Sequence, residues 1–294
     1  MMDPNAEREL KALISLADEP DDRILSEIIQ KIISYGKEAI PFLEEKWENS
    51  LDNILQERVL NIIHKIQFEN ICNQLKIWAQ TPFGNMFTAF ILISKFQYPM
   101  LNEKDVHDKL ENIKKDVWLE MNDNLTPLEK VRVINHILFD IHKFAGNVSD
   151  FYALSNMYLN TLLETKKGNP LSLGLLYIII SNEMNIPVYG VNLPEHFILA
   201  YTNENKIDRL GFLDEKEVLF YINPFSKGAV FSKKEVEQFL SQINQQPQDS
   251  FYQPCNNTDI VNRLLNNLSM AYQKIGDKEK VDEIQILFKI INNL

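Results

Sequence analysis

Apolar residues recur at helical spacing through the first 80 residues of the chain. In the segment "DDRILSEIIQKIISYG" they share one helix face: Ile24, Ile28, Ile29 and Ile32. Gly36 fits the C-cap of this helix. The segments "KEAIPFLEEKWENS" and "DNILQERVLNIIHKIQ" predict two more helices. Short helices joined by polar turns predict a HEAT-like helical region over residues 1–80, although a small helical bundle produces the same pattern.

Two further helices are predicted over residues 101–121 and 126–144. The second has a clear start signal: Thr126 is a favoured N-cap, Pro127 suits the first helical position, and Glu129 completes a capping box.

The segment "GNPLSLGLLYIII" predicts an unusual helix over residues 170–184. Asn169 is a favoured N-cap and Pro170 suits the first turn. The residues that follow leave almost no polar face, so this helix must lie at the centre of the fold. Its N-terminus offers unpaired N–H groups and a partial positive charge inside the protein, which suits an anion or a thiolate.

After residue 186 the pattern changes to short runs rich in Val, Ile, Tyr and Phe. The runs "PVYGVNL", "FILAYTN" and "EVLFYINPF" predict three strands, separated by Pro, Asn-Glu-Asn and Gly-Phe-Leu-Asp. Three consecutive strands after a buried helix predict an α+β fold with a small antiparallel sheet. A helix follows in "SKKEVEQFLSQI", with Ser232 as its cap and Glu235 closing a capping box.

The chain then predicts a polar linker over residues 244–257, followed by helices. The final helices carry residues at the spacing of a tetratricopeptide unit: Leu268, Ala271, Tyr272, Gly276, Asp277 and Val281. Together these patterns predict three domains, over residues 1–80, 81–245 and 246–294.

Composition and charge argue against several classes of partner and site. The formal net charge is −11 and no basic cluster stands out, which argues against nucleic acid or an anionic membrane as a partner. No signal peptide or membrane span is predicted, so the cytoplasm is the expected location. Cys72 and Cys255 stand far apart, and His136 and His142 do not share a helix face. We therefore expect neither a disulfide scaffold, nor a metal site, nor a cofactor.

Two stretches of the sequence match a known protein family over many consecutive positions. The stretch "NMYLNTLLETKKGNPLSLGLLYIIISNEMNIPVYGVNLPEHFILAY" and the later "YINPFSKG" resemble the bacterial transglutaminase-like family of the SirB type. The resemblance extends over essentially the whole chain and is strongest over residues 156–228. It implies a helical N-terminal region, a papain- or transglutaminase-like core with a central helix against a small sheet, and tetratricopeptide-like C-terminal helices.

The resemblance also implies a site. A thiol enzyme of this architecture carries a cysteine at the start of the central helix, a histidine on the following strand and Asp or Asn on the next. These positions correspond to Pro170, His196 and Asn223. Proline cannot act as a nucleophile, and no cysteine lies between residues 73 and 254. Ser172 is the only hydroxyl in that helical turn.

Each candidate residue also has a structural interpretation. Ser172 fits a plain first-turn residue, His196 fits a hydrogen-bonded core histidine, and Asn223 fits a turn before proline. Glu195 stands where the family usually has glycine and Asn223 where aspartate is common. If the cleft persists, we expect a binding groove lined by the following residues: Asn156, Asn169, Pro170, Ser172, Glu195, His196 and Asn223.

Three functions remain open. The first is a non-catalytic binding or scaffold protein with a protein or peptide partner, in which the groove recognises a carboxylate or a peptide carbonyl. The second is a hydrolase or acyltransferase acting on amide or ester bonds, which requires a hydrogen bond between Ser172 and His196. The third is an inert fold whose groove is filled by side chains. The missing thiol favours the first, since a fold alone does not carry an activity.

Overall fold

The computed structural model describes residues 3–81, 84–203 and 218–293. The chain divides into two compact units, Met1–Lys76 and Ile77–Leu294. The helices predicted for residues 246–294 lie within the second unit. The division into three domains stays a prediction.

The first unit is built from helices. They are α1 (Pro4–Ser15), α2 (Asp22–Ser34), α3 (Ile40–Glu48) and the first part of α4 (Asn53–Gln80), with a short 3₁₀ helix at Gly36–Ala39. The side chain of Asp21 caps α2 by accepting hydrogen bonds from the N–H groups of Arg23 and Ile24. Apolar residues from α1 to α4, including Leu10, Ile32 and Val59, form one buried cluster. The sequence therefore predicted this helical region. Of the face predicted for α2, Ile28 and Ile32 are in the cluster and Ile29 packs against it, whereas Ile24 is 48% exposed.

Helix α4 is the long third helix of this region. The sequence predicted helical structure through residue 80, with a helix beginning at "DNILQERVLNIIHKIQ", and α4 continues without a break from Asn53 to Gln80. No Pro or Gly stands between residues 53 and 80, and Leu75 and Trp78 extend the series of buried positions. The helix ends just before Pro82, whose ring would clash with a helical backbone.

The second unit surrounds one central helix, α9 (Pro170–Glu183), whose residues from Pro170 to Ser181 are buried. Helices α5, α6 and α8 and the strands β3 and β4 contact it. The helices of this unit are α5 (Met86–Gln97), α6 (Glu103–Glu120), α7 (Pro127–Asn135), α8 (Leu159–Thr165), α9, α10 (Lys233–Gln242), α11 (Asn257–Ile275) and α12 (Lys278–Ile291). The described residues of this unit also contain three 3₁₀ helices (Leu154–Met157, Pro224–Ser226 and Asp249–Phe251) and a π-helical turn (His136–Ile141). The capping boxes predicted at Thr126 and Ser232 are both present.

Two sheets belong to the second unit. A short parallel pair joins β1 (Ala145–Gly146) and β2 (Lys167–Gly168). An antiparallel sheet has the order β3 (Val188–Leu193), β4 (His196–Thr202), β5 (Val218–Asn223) and β6 (Ala229–Phe231). The predicted α+β class is confirmed. The sequence missed β6 because three residues carry too little pattern, and the separators predicted beyond Asn203 lie outside the described residues.

The two faces of this sheet meet different helices, because strand residues alternate between faces. On one face Phe197 packs against α9, where a Cβ placed on Gly174 would lie 2.6 Å from the phenyl ring. On the other face Ile198 and Ala200 pack against Val236 and Leu240 of α10, in a cluster that also holds Tyr252. The second unit therefore stacks α9, the sheet and α10 in three layers.

One polar clamp ties the β5–β6 turn to the helices. The Tyr177 hydroxyl donates to Asn135 Oδ1 (3.1 Å), and Asn135 Nδ2 donates to the carbonyl oxygen of Gly228 (2.8 Å). Gly228 has φ +71° and leaves no room for a Cβ beside Asn135. Glycine is required there on both grounds.

The segment predicted as a linker is packed against the sheet. Within residues 244–257, Tyr252 is buried and its carbonyl oxygen accepts a hydrogen bond from the Tyr221 hydroxyl (2.9 Å). The Cys255 N–H donates to the carbonyl oxygen of Gly190 on the edge strand β3 (2.8 Å). The prolines and polar residues therefore cover a sheet edge that would otherwise expose unpaired groups.

A buried chain of hydroxyl groups links α11 to the rest of the second unit. Tyr158 and Tyr272 share a hydrogen bond (2.8 Å), and the Tyr272 hydroxyl donates to Gln97 Oε1. Tyr98 packs edge-on against Tyr158, with ring centroids 5.4 Å apart. The last two helices are therefore joined to the core through polar as well as apolar contacts.

No helix within residues 3–81, 84–203 and 218–293 combines the length and the apolar character needed to cross a membrane.

The contact between α9 and β4 can be tested with two substitutions on the same helix. We expect Gly174→Ala to lower the free energy of unfolding by about 1–3 kcal/mol, because the added methyl group overlaps the buried Phe197 ring. Helix propensity alone would raise stability by about 1 kcal/mol. Chemical denaturation followed by circular dichroism measures the difference.

Ser181→Ala is the matched control. The Ser181 hydroxyl is buried and has no hydrogen-bond partner among the described residues. Its removal should leave stability unchanged or raise it by about 1 kcal/mol. A Gly174→Ala variant as stable as this control would contradict the close packing of α9 on the sheet.

Candidate functional site

The start of α9 is closed by its own side chains. The helix begins at Pro170, as predicted, and Asn169 Oδ1 accepts a hydrogen bond from the Ser172 N–H (2.8 Å). In return the Ser172 hydroxyl oxygen accepts from the Asn169 N–H (3.0 Å), and its proton points to the Asn169 carbonyl oxygen (3.3 Å). These bonds form a capping box, in which the Ser172 hydroxyl is fully engaged.

Burial completes this closure. Asn169 is 3% exposed, Ser172 is 0% exposed, and Pro170 is also buried. The Leu173 N–H donates to the Asn169 carbonyl oxygen (3.1 Å), so the donors predicted to hold an anion are already partly used. Asn169, Pro170 and Ser172 therefore form a closed helix start and not the open groove that was predicted there. The physical reason is that a buried helix end needs internal partners for its polar groups.

Asn156 has a similar role. It is 1% exposed, and its Nδ2 donates to the carbonyl oxygens of Asp150 (2.6 Å) and Phe151 (3.2 Å). Its Oδ1 accepts a hydrogen bond from Asn147 Nδ2 (2.9 Å). The side chain holds the loop before α8 together, rather than facing the predicted groove.

His196 stands at the first position of β4, on the predicted strand. Its side chain points to the face that carries Ile198 and Ala200, and its ring centroid lies 5.9 Å from that of Phe239 on α10. Helix α9 packs on the opposite face, against Phe197. The prediction that His196 faces the start of the central helix is therefore wrong.

The sequence could not reveal this because alternation along a strand does not say which face meets which helix. Moving the pattern by one residue would exchange the roles of His196 and Phe197. The consequence is that Ser172 hydrogen-bonds with Asn169, and not with His196 as the serine enzyme requires.

Asn223 and His196 do come together. Asn223 ends β5 on the same face of the sheet as His196, and its side chain hydrogen-bonds to the imidazole. Asn223 Oδ1 also accepts from the N–H groups of Phe225 (3.1 Å) and Ser226 (3.2 Å), which caps the following 3₁₀ turn. Asn223 thus caps the turn and also contacts the imidazole of His196.

The electrostatic surroundings of His196 act in opposite directions. Burial lowers the pKa of the imidazole below its ordinary value of 6.5, the hydrogen bond that the ring donates to Asn223 raises it, and the positive charge of Arg263 lowers it. Glu195 is exposed, in the β3–β4 turn with φ +59°. Its carboxylate makes no described contact with the ring.

Arg263 was missed at the sequence level. Its Nη1 donates to the carbonyl oxygen of Leu193 (2.8 Å) and to Asn192 Oδ1 (3.3 Å), and the guanidinium carbon lies 5.9 Å from the centre of the Phe197 ring. The available signal was a lone arginine between buried Ile260 and Leu264 on α11. Such a residue at the border of an apolar stripe often reaches back to carbonyl groups.

Neither cysteine provides a reactive thiol at this site. Cys255 Sγ donates to the carbonyl oxygen of Gly190 (3.2 Å), and burial raises the pKa of the thiol to about 12. Cys72 belongs to α4 in the first unit. No group of three or more His, Cys, Asp or Glu side chains could hold a metal ion in the parts of the chain that the structure describes.

The two histidines set aside in the sequence pair with separate carboxylates. His136 Nδ1 lies 3.4 Å from Asp140 Oδ2, and His142 Nε2 lies 2.8 Å from Asp116 Oδ2.

Several known proteins are similar to this chain. F-box only protein 21 from Mus musculus is 31% identical over 150 residues, which is 51% of this chain and 22% of that protein. The protein of the same name from Homo sapiens is 25% identical over 246 residues, 76% of this chain and 37% of that protein. A UPF0162 protein from Xylella fastidiosa (strain 9a5c) is 26% identical over 194 residues, 64% of both chains. The matched region spans less than two thirds of each of these relatives.

No solved structure matches the chain. A family model described as the transglutaminase-like superfamily matches residues 104–266, more than half of the sequence. The matched range holds α9, the antiparallel sheet and the pair formed by His196 and Asn223. The chain therefore belongs to the transglutaminase-like superfamily.

Proposed function

We propose that this protein is a non-catalytic binding or scaffold protein with a transglutaminase-like core. The observation that carries the proposal is the start of α9. By the family resemblance, Pro170 falls at or near the position where a thiol enzyme carries its nucleophile, and the Ser172 hydroxyl is held in a buried capping box. A nucleophile must be accessible and within reach of its base, and Ser172 satisfies neither condition.

The thiol chemistry of the chain supports the same proposal. Cys255 is protonated at neutral pH, since burial raises its pKa to about 12, and its Sγ is committed to the Gly190 carbonyl oxygen. A thiol enzyme needs a thiolate. The alternative function, a hydrolase or acyltransferase that uses Ser172 and His196, would need both side chains to leave their present partners.

A protein or peptide is the partner that we propose. Relatives that carry the name F-box only protein 21 hint at protein interactions in this superfamily. The charge of −11 disfavours nucleic acid as the partner. The SirB type, the HEAT-like character of residues 1–80, the tetratricopeptide-like character of residues 246–294 and a cytoplasmic location are parts of the same proposal.

Catalysis can be tested directly. We expect no product above the buffer background when the protein is incubated with a glutamine donor and an amine, or with amide and ester substrates. The reason is that the required position lacks a nucleophile. Mass spectrometry of the substrates measures turnover, and Ser172→Ala should be indistinguishable from the unmodified protein.

Ser181→Ala is the control for the general effect of removing a buried serine from α9. Circular dichroism verifies that both variants fold. Turnover that survives Ser181→Ala and disappears in Ser172→Ala and His196→Ala would overturn the proposal in favour of the serine enzyme.

The state of His196 is a second test. We expect its imidazole to titrate below 6.5 in NMR spectra, because the effect of burial on the pKa outweighs that of the hydrogen bond donated to Asn223. Asn223→Ala should lower this pKa further, and Arg263→Gln should raise it. Glu195→Gln is the matched control and should leave it unchanged, since that side chain is exposed. A pKa above 6.5 would contradict the burial of the ring.

This pKa also links stability to pH. The unfolded chain binds a proton on His196 at higher pH than the folded chain, so the unfolding free energy falls as pH drops from about 6.5 to the folded pKa. His196→Phe should remove that part of the pH dependence, and urea denaturation at several pH values measures it.

A further inference from the structure

The turn between α3 and α4, in the first unit, presents apolar side chains to water. Leu51 is 100% exposed, the largest exposed fraction of any large apolar residue that the structure describes, and Ile54 is 65% exposed. Trp47, in the last turn of α3, is exposed as well. Single exposed apolar residues are ordinary on a protein surface. Three of them within residues 47–54 concentrate apolar surface at one place, as interaction sites do.

Hydrogen bonds hold this turn in place. Gln56 Nε2, on α4, donates to the carbonyl oxygens of Trp47 (3.2 Å) and Ser50 (2.9 Å). The Ser50 hydroxyl oxygen accepts from the Asp52 N–H (3.1 Å), and Asp52 Oδ1 accepts from the Ile54 N–H (2.9 Å). The end of α3 and the start of α4 are therefore joined within the span of one glutamine side chain. The exposed apolar residues belong to a preformed surface.

Acidic residues flank the apolar ones. Residues 44–57 contain five acidic residues and one basic residue, Lys46. Four exposed carboxylates make no ion pair with any described residue: Glu44, Glu48, Asp52 and Glu57. Arg58, the next cation along the chain, donates instead to the carbonyl oxygens of Ala17 (3.5 Å) and Glu19 (3.4 Å). The chain therefore leaves most of the negative charge beside the apolar residues without a partner.

This combination of charge and apolar surface selects the chemistry of an occupant. The carboxylates would repel an anionic membrane or a nucleic acid, and a second copy of this chain would bring like charges face to face. A polypeptide segment with one apolar side and one basic side is complementary to both parts of the surface.

We propose that this surface binds a basic amphipathic segment of a partner protein. Its members, named the α3–α4 surface below, are Trp47, Leu51 and Ile54 together with the carboxylates of Glu44, Glu48, Asp52 and Glu57. Apolar side chains of the segment pack on Leu51 and Ile54, and its Lys or Arg side chains reach the flanking carboxylates. The inference rests on the proposed function as a binding protein and deepens it, because it names a surface and the chemistry of the partner.

The probe is an acetylated and amidated model peptide of leucine and lysine, with leucines on one face of a helix and lysines on the other. A fluorescein-labelled form is titrated with the full chain and followed by fluorescence anisotropy. We expect a dissociation constant on the order of 10–100 μM, because a short peptide loses conformational freedom when it binds. Replacing its lysines by glutamate, or its leucines by serine, should each weaken binding by about 10-fold or more.

Matched variants of α4 test the apolar part of the surface. Ile54→Ser should weaken binding by about 5- to 30-fold, because it removes a side chain that the peptide covers. Ile77→Ser is the control, since Ile77 is also 65% exposed and lies near the other end of the same helix. It should leave the affinity unchanged. Circular dichroism verifies that each variant folds.

A second matched pair tests the acidic part. Glu57→Lys should weaken binding by about 3- to 10-fold at low salt, because it sets a positive charge against the lysines of the peptide. Glu69→Lys makes the same change in net charge at an exposed position of α4 outside the surface, and its effect should stay below about 2-fold. Added salt should weaken the binding of the unmodified protein, since the charges are exposed.

Four outcomes would overturn the proposal. The first is no binding of the probe up to about 1 mM. The second is equal binding of the glutamate peptide, and the third is an effect of Ile54→Ser or Glu57→Lys no larger than that of its control. The fourth is a different occupant, seen as binding to phosphatidylserine vesicles or as a dimer that Leu51→Ser dissociates. None of these bears on the turnover test, so failure here leaves the non-catalytic assignment standing.

Discussion

The burial of α9 from Pro170 to Ser181 is the constraint on which the second unit depends. A helix that is apolar around its whole circumference cannot border water on any side, so other elements must enclose it. Helices α5, α6 and α8 and the antiparallel sheet form that enclosure. The same burial explains the closed capping box, because a helix end inside a core must satisfy its polar groups locally.

This constraint bears directly on the question of chemistry. In a thiol enzyme of this architecture, the start of the central helix has to be both buried enough to tune a nucleophile and open enough to admit a substrate. In this chain, Asn169 and Ser172 hydrogen-bond with each other at the start of α9, beside Pro170. Superfamily membership alone does not assign an activity, because an activity depends on the site and not on the fold.

Local signals in the sequence predicted local structure well. Asn169, Thr126 and Ser232 mark helix starts through side-chain bonds that span three residues, and the three longer strands follow from their composition. Predictions that depended on distant contacts were less successful. The segment around Tyr252 looked like a linker because its partner, Tyr221, lies 31 residues away.

The sequence likewise did not predict which face of the sheet carries His196. The hint lay in Gly174, the one glycine of an otherwise bulky helix, which lets Phe197 approach closely. If Phe197 faces α9, then His196 must face away. The contacts of Arg263 on α11 with Asn192 and Leu193 on β3 join distant segments, and they leave no signature in a single segment.

The tyrosine pair that joins α11 to the core has a consequence for how the chain acquires its structure during synthesis. The first unit draws its core from residues between Leu10 and Ile66, so it can close while most of the chain is still on the ribosome. Tyr272 meets Tyr158 and Gln97 across 114 and 175 residues of sequence. The second unit can therefore complete its buried hydroxyl network only after α11 has emerged. Until then, the Tyr158 hydroxyl lacks its hydrogen bond to Tyr272. The incomplete core of the nascent chain is accessible to chaperones and prone to misassembly.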